Sequence, residues 1–167
     1  SGIKRSTGVK ATIVRGVANE DMADLLSVIE SQFDTQASIT GLIRLTAALQ
    51  ADSDGVDHGH ILRVPSATGA SSNSSALDGA AATTNGGVGH LHVSANSGTT
   101  PTLDVIIEDS ADGSTGWATI ATFTQVTTTN QAVRVEITGT VKRYIRAAWT
   151  IGGSTPSYTF AVAFARR

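Results

Sequence analysis

GVGHLHVSANSGTTPTLDVIIED, Gly87–Asp109, decides how this chain folds. Leu91 and Val93 alternate with His90 and His92, and Leu103, Val105 and Ile107 recur at every second position, the period of a half-buried strand. The Gly, Asn, Thr and Pro between the two runs read as a turn. Toward the C-terminus the same grammar repeats: SADGSTG as a turn, WATIATFTQV, QAVRVEIT and VKRYIRAAWTI as strands, GGSTP as a turn, and SYTFAVAFARR as a last strand. Such spacing, with no helix in between, predicts an antiparallel β-sandwich over residues 88–167, roughly eighty residues.

The N-terminal part reads differently. STGVKATIVRGV, Ser6–Val17, predicts a short strand around Val9, Thr12 and Val14. Residues 18–33 predict a helix: Asn19 can cap it, Glu20, Asp21 and Asp24 suit its first turns, and Met22, Leu25, Leu26, Val28 and Ile29 form an apolar stripe. Thr40–Leu49 is expected as strand, followed by a hairpin turn at Asp52–Gly55 leading into HILRV. Ser66–Gly87 holds Leu77 as its one large apolar residue and no Lys or Arg, the composition of a linker or of a loop that orders only in an assembly. The expected fold is therefore mainly β: a β-sheet part with one helix at 1–65, a linker at 66–87, and a sandwich at 88–167.

Composition narrows the function. Charged residues make up 16% and the net charge is −2, which gives no electrostatic reason to expect binding to nucleic acid or an acidic membrane. The absence of cysteine excludes disulfides, thiolate metal sites and cysteine nucleophiles. No apolar run approaches the roughly 18–20 residues that span a bilayer, so the chain is expected to be soluble.

All four histidines occur as His-x-His pairs, His58 with His60 and His90 with His92. Spacing of two on a strand puts both rings of a pair on one side, so these four, with Asp52, Asp54 or Asp57, are candidate metal ligands if the strands meet. The simpler reading keeps Leu91 and Val93 in the core and turns the histidines outward, as surface or subunit-contact residues. DSDGVDHGH, Asp52–His60, lacks the sixth-position glycine and twelfth-position glutamate of an EF-hand and reads as an Asp-rich turn. Asp109–Trp117 is Gly-rich but carries no lysine and precedes no helix, so it is not a phosphate loop. Glu108 and Asp109 point to opposite faces of a strand and make no acid–base pair. Trp149 is expected in the core, leaving Trp117 as a candidate exposed ring. No catalytic residue and no cofactor is expected.

Charge is segregated. Between Pro65 and Val133 there are acids but no Lys or Arg, and beyond Glu136 there are bases but no acids. That pattern suggests opposite charge at opposite ends, a head-to-tail complement in an assembly.

GGVGHLHV at Gly86–Val93, the strand and turn at Leu103–Gly113, RYIR at Arg143–Arg146, and GGSTPSYTF leading to the Arg-Arg terminus together resemble the C-terminal part of tailed-bacteriophage major tail (tail tube) proteins. The resemblance covers about the last half of the chain well and Ala37–Val64 more loosely. It implies a virion protein assembled in the host cytoplasm, stacking as rings, expected hexameric, around the channel that carries the genome. An Ig-like sandwich would stand outside. Its partners would be itself and other virion proteins, with DNA passing transiently through the lumen and no membrane involved. A capsid decoration protein and a host-surface or glycan-binding adhesin are the alternative expectations.

Overall fold

The computed structural model describes the backbone of residues 9–37 and 43–167 and the side chains of 10–28 and 55–167. The mainly-β expectation holds: the described residues form nine strands and no helix. The strands are β1 (Val9–Val14), β2 (Met22–Ala37), β3 (Ile43–Thr68), β4 (Ser72–Asn73), β5 (Leu77–Asp78), β6 (Gly87–Ser110), β7 (Ala118–Thr122), β8 (Gln131–Ile137) and β9 (Tyr144–Arg166). Pairing is antiparallel in the order β1-β2-β3-β9-β6-β7, with β4 and β5 also on β9 and β8 on β6.

The two runs read as separate strands at Gly87–Asp109 are one strand that turns a corner. β6 and β9 pair from Gly87↔Arg166 to Ser110↔Tyr144, with register shifts between Ser97 and Thr102. Gly98, Thr100, Gly153 and Thr155 take positive φ there. A Cβ on Gly98 would meet the Thr155 carbonyl oxygen at 2.8 Å, so this bend needs glycine both for its φ and for its space.

The corner turns the two halves of the ribbon face to face. Leu91, Val93, Phe160, Val162 and Phe164 from one half share a core with Leu103, Val105, Ile107, Ile145 and Ala147 from the other. Phe123 and Val126 complete that core beyond β7, and the buried Tyr158 hydroxyl donates to the Val126 carbonyl at 3.0 Å. Burying each such aliphatic or aromatic side chain is worth about 1.5–3 kcal/mol, against at most about 1 kcal/mol for an exposed ion pair. Apolar packing therefore holds this sandwich-like arrangement closed.

The outer face of the first half is covered as well. β3 adds to β9, and β2 and β1 follow and curl until β1 lies against β6 and β8. A second core of Ala23, Leu25, Ile61, Val88, Ala163 and Ala165 fills the space between. Small side chains permit the tight curl: a Cβ on Gly59 would stand 2.1 Å from the Phe164 carbonyl oxygen.

Several expectations are corrected. The helix at 18–33 is absent; Met22–Ala37 is strand β2, and Ala18–Asp21 is the bend before it. Ala23, Leu25, Leu26, Ser27 and Val28 are all buried, so β2 is covered on both faces here, and its unbroken apolar run imitates a helical stripe. Asn19 caps no helix; its Oδ1 accepts the Val64 amide. Asp52–Gly55 is no hairpin turn but an excursion within β3, inserted between the pairs Ala51↔Val28 and Val56↔Leu26, with Gly55 at φ 74°. Ile43–Leu49 is strand as expected, while residues 38–42 lie outside the described ones.

The segment expected as a linker is laced along the sandwich. β4 pairs with Ala148 and Trp149, β5 pairs with Tyr144 and Ile145, and Leu77 enters the main core. Backbone pairing, rather than apolar side chains, supplies the order that composition did not promise. The N-terminal strands likewise join the same sheet as the C-terminal ones through β3 and β9.

One part of the sheet projects. Beyond Val28 and Ala51, β2 and β3 pair only with each other among the described residues, from Ile29↔Gln50 to Ala37↔Ile43. At about 3.3 Å per residue this two-stranded arm reaches roughly 30 Å.

Candidate functional site

The histidine pairs fall on opposite faces of the sheet, on β3 and β6, with β9 between them. His58 and His60 share the face of Asp24. The exposed His58 has Nδ1 2.6 Å from Asp24 Oδ1, and His60 Nδ1 donates to the Glu20 carbonyl at 2.8 Å. Arg15 also donates to Asp24, at 2.8 Å from Nη2, and Arg15 first and His58 second hold that carboxyl below its ordinary range.

His90 and His92 point the other way, under β1. His90 is fully buried and His92 half-buried, which corrects the expectation of outward-facing side chains for this pair. The physical reason is the curl of β1 and β2, which covers a face that alternation alone would leave to solvent. Thr12 Oγ1 lies 3.2 Å from His90 Nδ1 and 2.8 Å from His92 Nε2, so one hydroxyl bridges both rings. The rings meet edge-on, with centroids 5.9 Å apart.

The surroundings of this pair are cationic. Arg134 is opposite His90 in register, and the neighbouring Lys10 ammonium donates to the Ser27 hydroxyl. Asp57 is the acid of the group; it accepts from Arg167 Nε at 2.8 Å and Nη2 at 2.9 Å, with Arg134 Nη2 at 3.9 Å. Burial above all, then His92, Arg134 and Lys10, lowers the His90 pKa to about 4, against a smaller opposing pull from Asp57. Burial lowers His92 as well. His90 is therefore neutral at pH 7, a buried hydrogen-bonding group.

The two pairs thus do not converge, and among the described residues no group of three or more His, Asp or Glu is placed to hold a metal ion. Asp57 faces Arg167; the side chains of Asp52 and Asp54 lie outside the described residues. The Asp109–Trp117 turn closes on itself: Asp112 Oδ1 accepts from the Ser114 and Thr115 amides at 2.8 Å, and Oδ2 accepts the Thr115 hydroxyl at 2.6 Å. Those bonds hold the Asp112 carboxyl far below its usual range.

Glu108 and Asp109 do point to opposite faces. Glu108 Oε2 accepts from Arg146 Nε at 2.8 Å, whereas the buried Asp109 accepts the Lys142 amide at 2.9 Å and sits 3.1 Å from its ammonium. The segregated charges are therefore neutralised within the chain, Asp78 by Arg143 and Glu108 by Arg146, rather than left at opposite ends. Antiparallel pairing of β5 and β6 with β9 folds the acidic segment onto the basic one.

The aromatics divide less sharply than expected. Trp117 is half-buried with the Arg146 guanidinium 4.2 Å over its ring. Trp149 is also half-buried; it meets Phe160 edge-on at 5.5 Å and donates Nε1–H to the Ala70 carbonyl at 3.0 Å. Beside it lies Arg63, 6% exposed, a residue that sequence reasoning passed over. Its position in HILRVP, next to apolar neighbours, was the one available sign.

No protein-family model and no curated protein sequence matches the chain.

Proposed function

We propose that this chain is a structural virion protein of a tailed bacteriophage, a tail tube subunit that stacks as rings around the DNA channel. The observation that carries the reading is the projecting β2–β3 arm. A two-stranded hairpin alone in water is marginal, and its outer edges leave peptide groups that seek a further strand. The arm sequence is also rich in Ile, Leu and Phe, including Ile29, Phe33, Ile43, Leu45 and Leu49. An arm of this kind gains its missing partners from neighbouring copies. The resemblance of the C-terminal half to tail tube proteins supports the same role, as does a fold whose described polar groups are largely satisfied within the chain.

Negative-stain electron microscopy and mass photometry over a concentration series test this. Rings or hollow tubes are expected, together with slow hydrogen exchange of the arm amides in the assembled material and fast exchange in the dilute protein. Particles that stay monomeric or trimeric at high concentration would replace the tube reading with that of a decoration protein on a capsid shell.

A further inference from the structure

Arg63 is a buried cation held by backbone carbonyls, with no acid acting on it. All its protein acceptors are backbone carbonyls: Phe160 and Val64 from Nη1, and Ser66 from Nη2 at 2.9 Å. Arg15, Arg134, Arg143, Arg146 and Arg167 each face a carboxylate. Arg166 also donates to carbonyls, but the charges of Asp109 and Asp78 act on it, whereas no carboxylate among the described residues pairs with Arg63. Burial alone lowers its pKa, to about 10, so it remains a cation at neutral pH with no compensating acid. Register shifts on either side of Arg63 explain why carbonyls turn toward it. Among the described residues they leave Nε–H without an acceptor.

Arg63 lines an open cleft of about 460 Å³, with Asn19, Ser72, Asn73 and Trp149 around it and no acid in its lining. The volume lies within the roughly 300–1,000 Å³ of small-molecule sites. Arg63 stands 4.9 Å from the Trp149 ring centroid and 3.8 Å from that of Phe160, and the indole is fixed by its bond to Ala70, so charge and ring are both pre-positioned. A buried cation in a cleft without acids concentrates positive potential there.

We propose that this cleft binds an acidic monosaccharide of the uronic-acid class. The carboxylate is received by Arg63, the sugar ring lies against Trp149, and the hydroxyls meet the amide and hydroxyl rim of Asn19, Ser72 and Asn73. Carboxylate suits a planar guanidinium, and an aromatic wall beside hydroxyl and amide groups suits a sugar face.

The test follows the indole N–H resonances of the full chain by NMR, with Trp117→Phe to assign Trp149, while sodium glucuronate, glucose or inorganic phosphate is added. Glucuronate is expected to shift the Trp149 signal saturably at millimolar concentration, with glucose and phosphate about tenfold or more weaker. Arg63→Gln should abolish the shift. Asn73→Asp, an exposed change that places an acid in the cleft, should weaken it about tenfold and keeps the test open if the Arg63 variant does not fold. No saturable shift overturns the proposal, equal response to glucose overturns the role of charge, and equal response to phosphate overturns the sugar class. An Asn73→Asp protein that binds as tightly as the parent removes the ligand from this cleft.

Discussion

His90 and Thr12, 78 residues apart in sequence, are joined Nδ1 to Oγ1 at 3.2 Å, and the same hydroxyl reaches His92 at 2.8 Å. This single side chain fastens the outermost strand to the hidden face of β6. Replacing Thr12 by Val keeps the shape but leaves both ring nitrogens without that partner. A loss of about 1–3 kcal/mol in urea-denaturation free energy is expected, with Thr12→Ser close to the parent. An unchanged value for Thr12→Val would mean that β1 is not seated as described.

Stability should fall with acid earlier than carboxylates alone would make it. The His90 pKa is lowered from 6.5 to about 4 in the folded protein. Between those values the unfolded chain binds a proton that the folded chain refuses, so the stability present above pH 6.5 is lost as pH falls toward 4. Lys10 of β1, Arg134 of β8 and His92 oppose protonation, while Asp57 of β3 favours it. Denaturation midpoints measured from pH 7.5 to 4.5 should drop across this window, and His90→Gln should flatten the slope.

Gly89→Ala is expected to cost about 1–3 kcal/mol by overpacking the core. The added methyl would meet Ile107 Cδ1 at 2.5 Å and Phe123 and Val135 at 3.1 Å. Thermal unfolding compared with Gly116→Ala separates crowding from backbone strain, since Gly116 has φ of 61° but open space around it. The second change should cost only about 1–2 kcal/mol.

Two arginines next to each other in space should differ in worth. Arg166 Nη2 donates to the Lys142 and Arg143 carbonyls at 2.5 and 2.6 Å, and Nη1 to Val141 at 3.1 Å, so Arg166→Met should cost about 2–3 kcal/mol. Arg143 makes an exposed pair with Asp78, and its loss should cost less than that of Arg166 and be masked by salt. Chemical denaturation in low and high salt distinguishes them.

Much of the sandwich was legible in the sequence because its strands bury one face. The alternation at Leu103, Val105 and Ile107 is the burial pattern of β6, and the opposed directions of Glu108 and Asp109 follow from it. Where both faces are covered, alternation fails: β2 imitates a helix, and His90 reads as a surface residue although β1 lies over it. The corner escaped for a related reason. Glycines in SANSGTTP and IGGSTP serve a bent, continuous strand as readily as a turn, and sequence alone does not distinguish the two. Arg63 was missed because its isolation from acids is a property of three-dimensional neighbours, not of its flanking residues.

The position of β9 sets the order of events at the ribosome. It lies between β3 and β6 and also receives β4 and β5, yet it emerges from the exit tunnel after all of them. Until Tyr144–Arg166 is synthesised, those earlier strands carry open edges and half-built cores, the condition under which nascent chains associate with one another. Gly87 meets its β9 partner only at Arg166, a long-range closure that favours slow folding. Translation speed through the last strands, and chaperone cover over the first ones, should therefore govern how much of the protein reaches its native sheet.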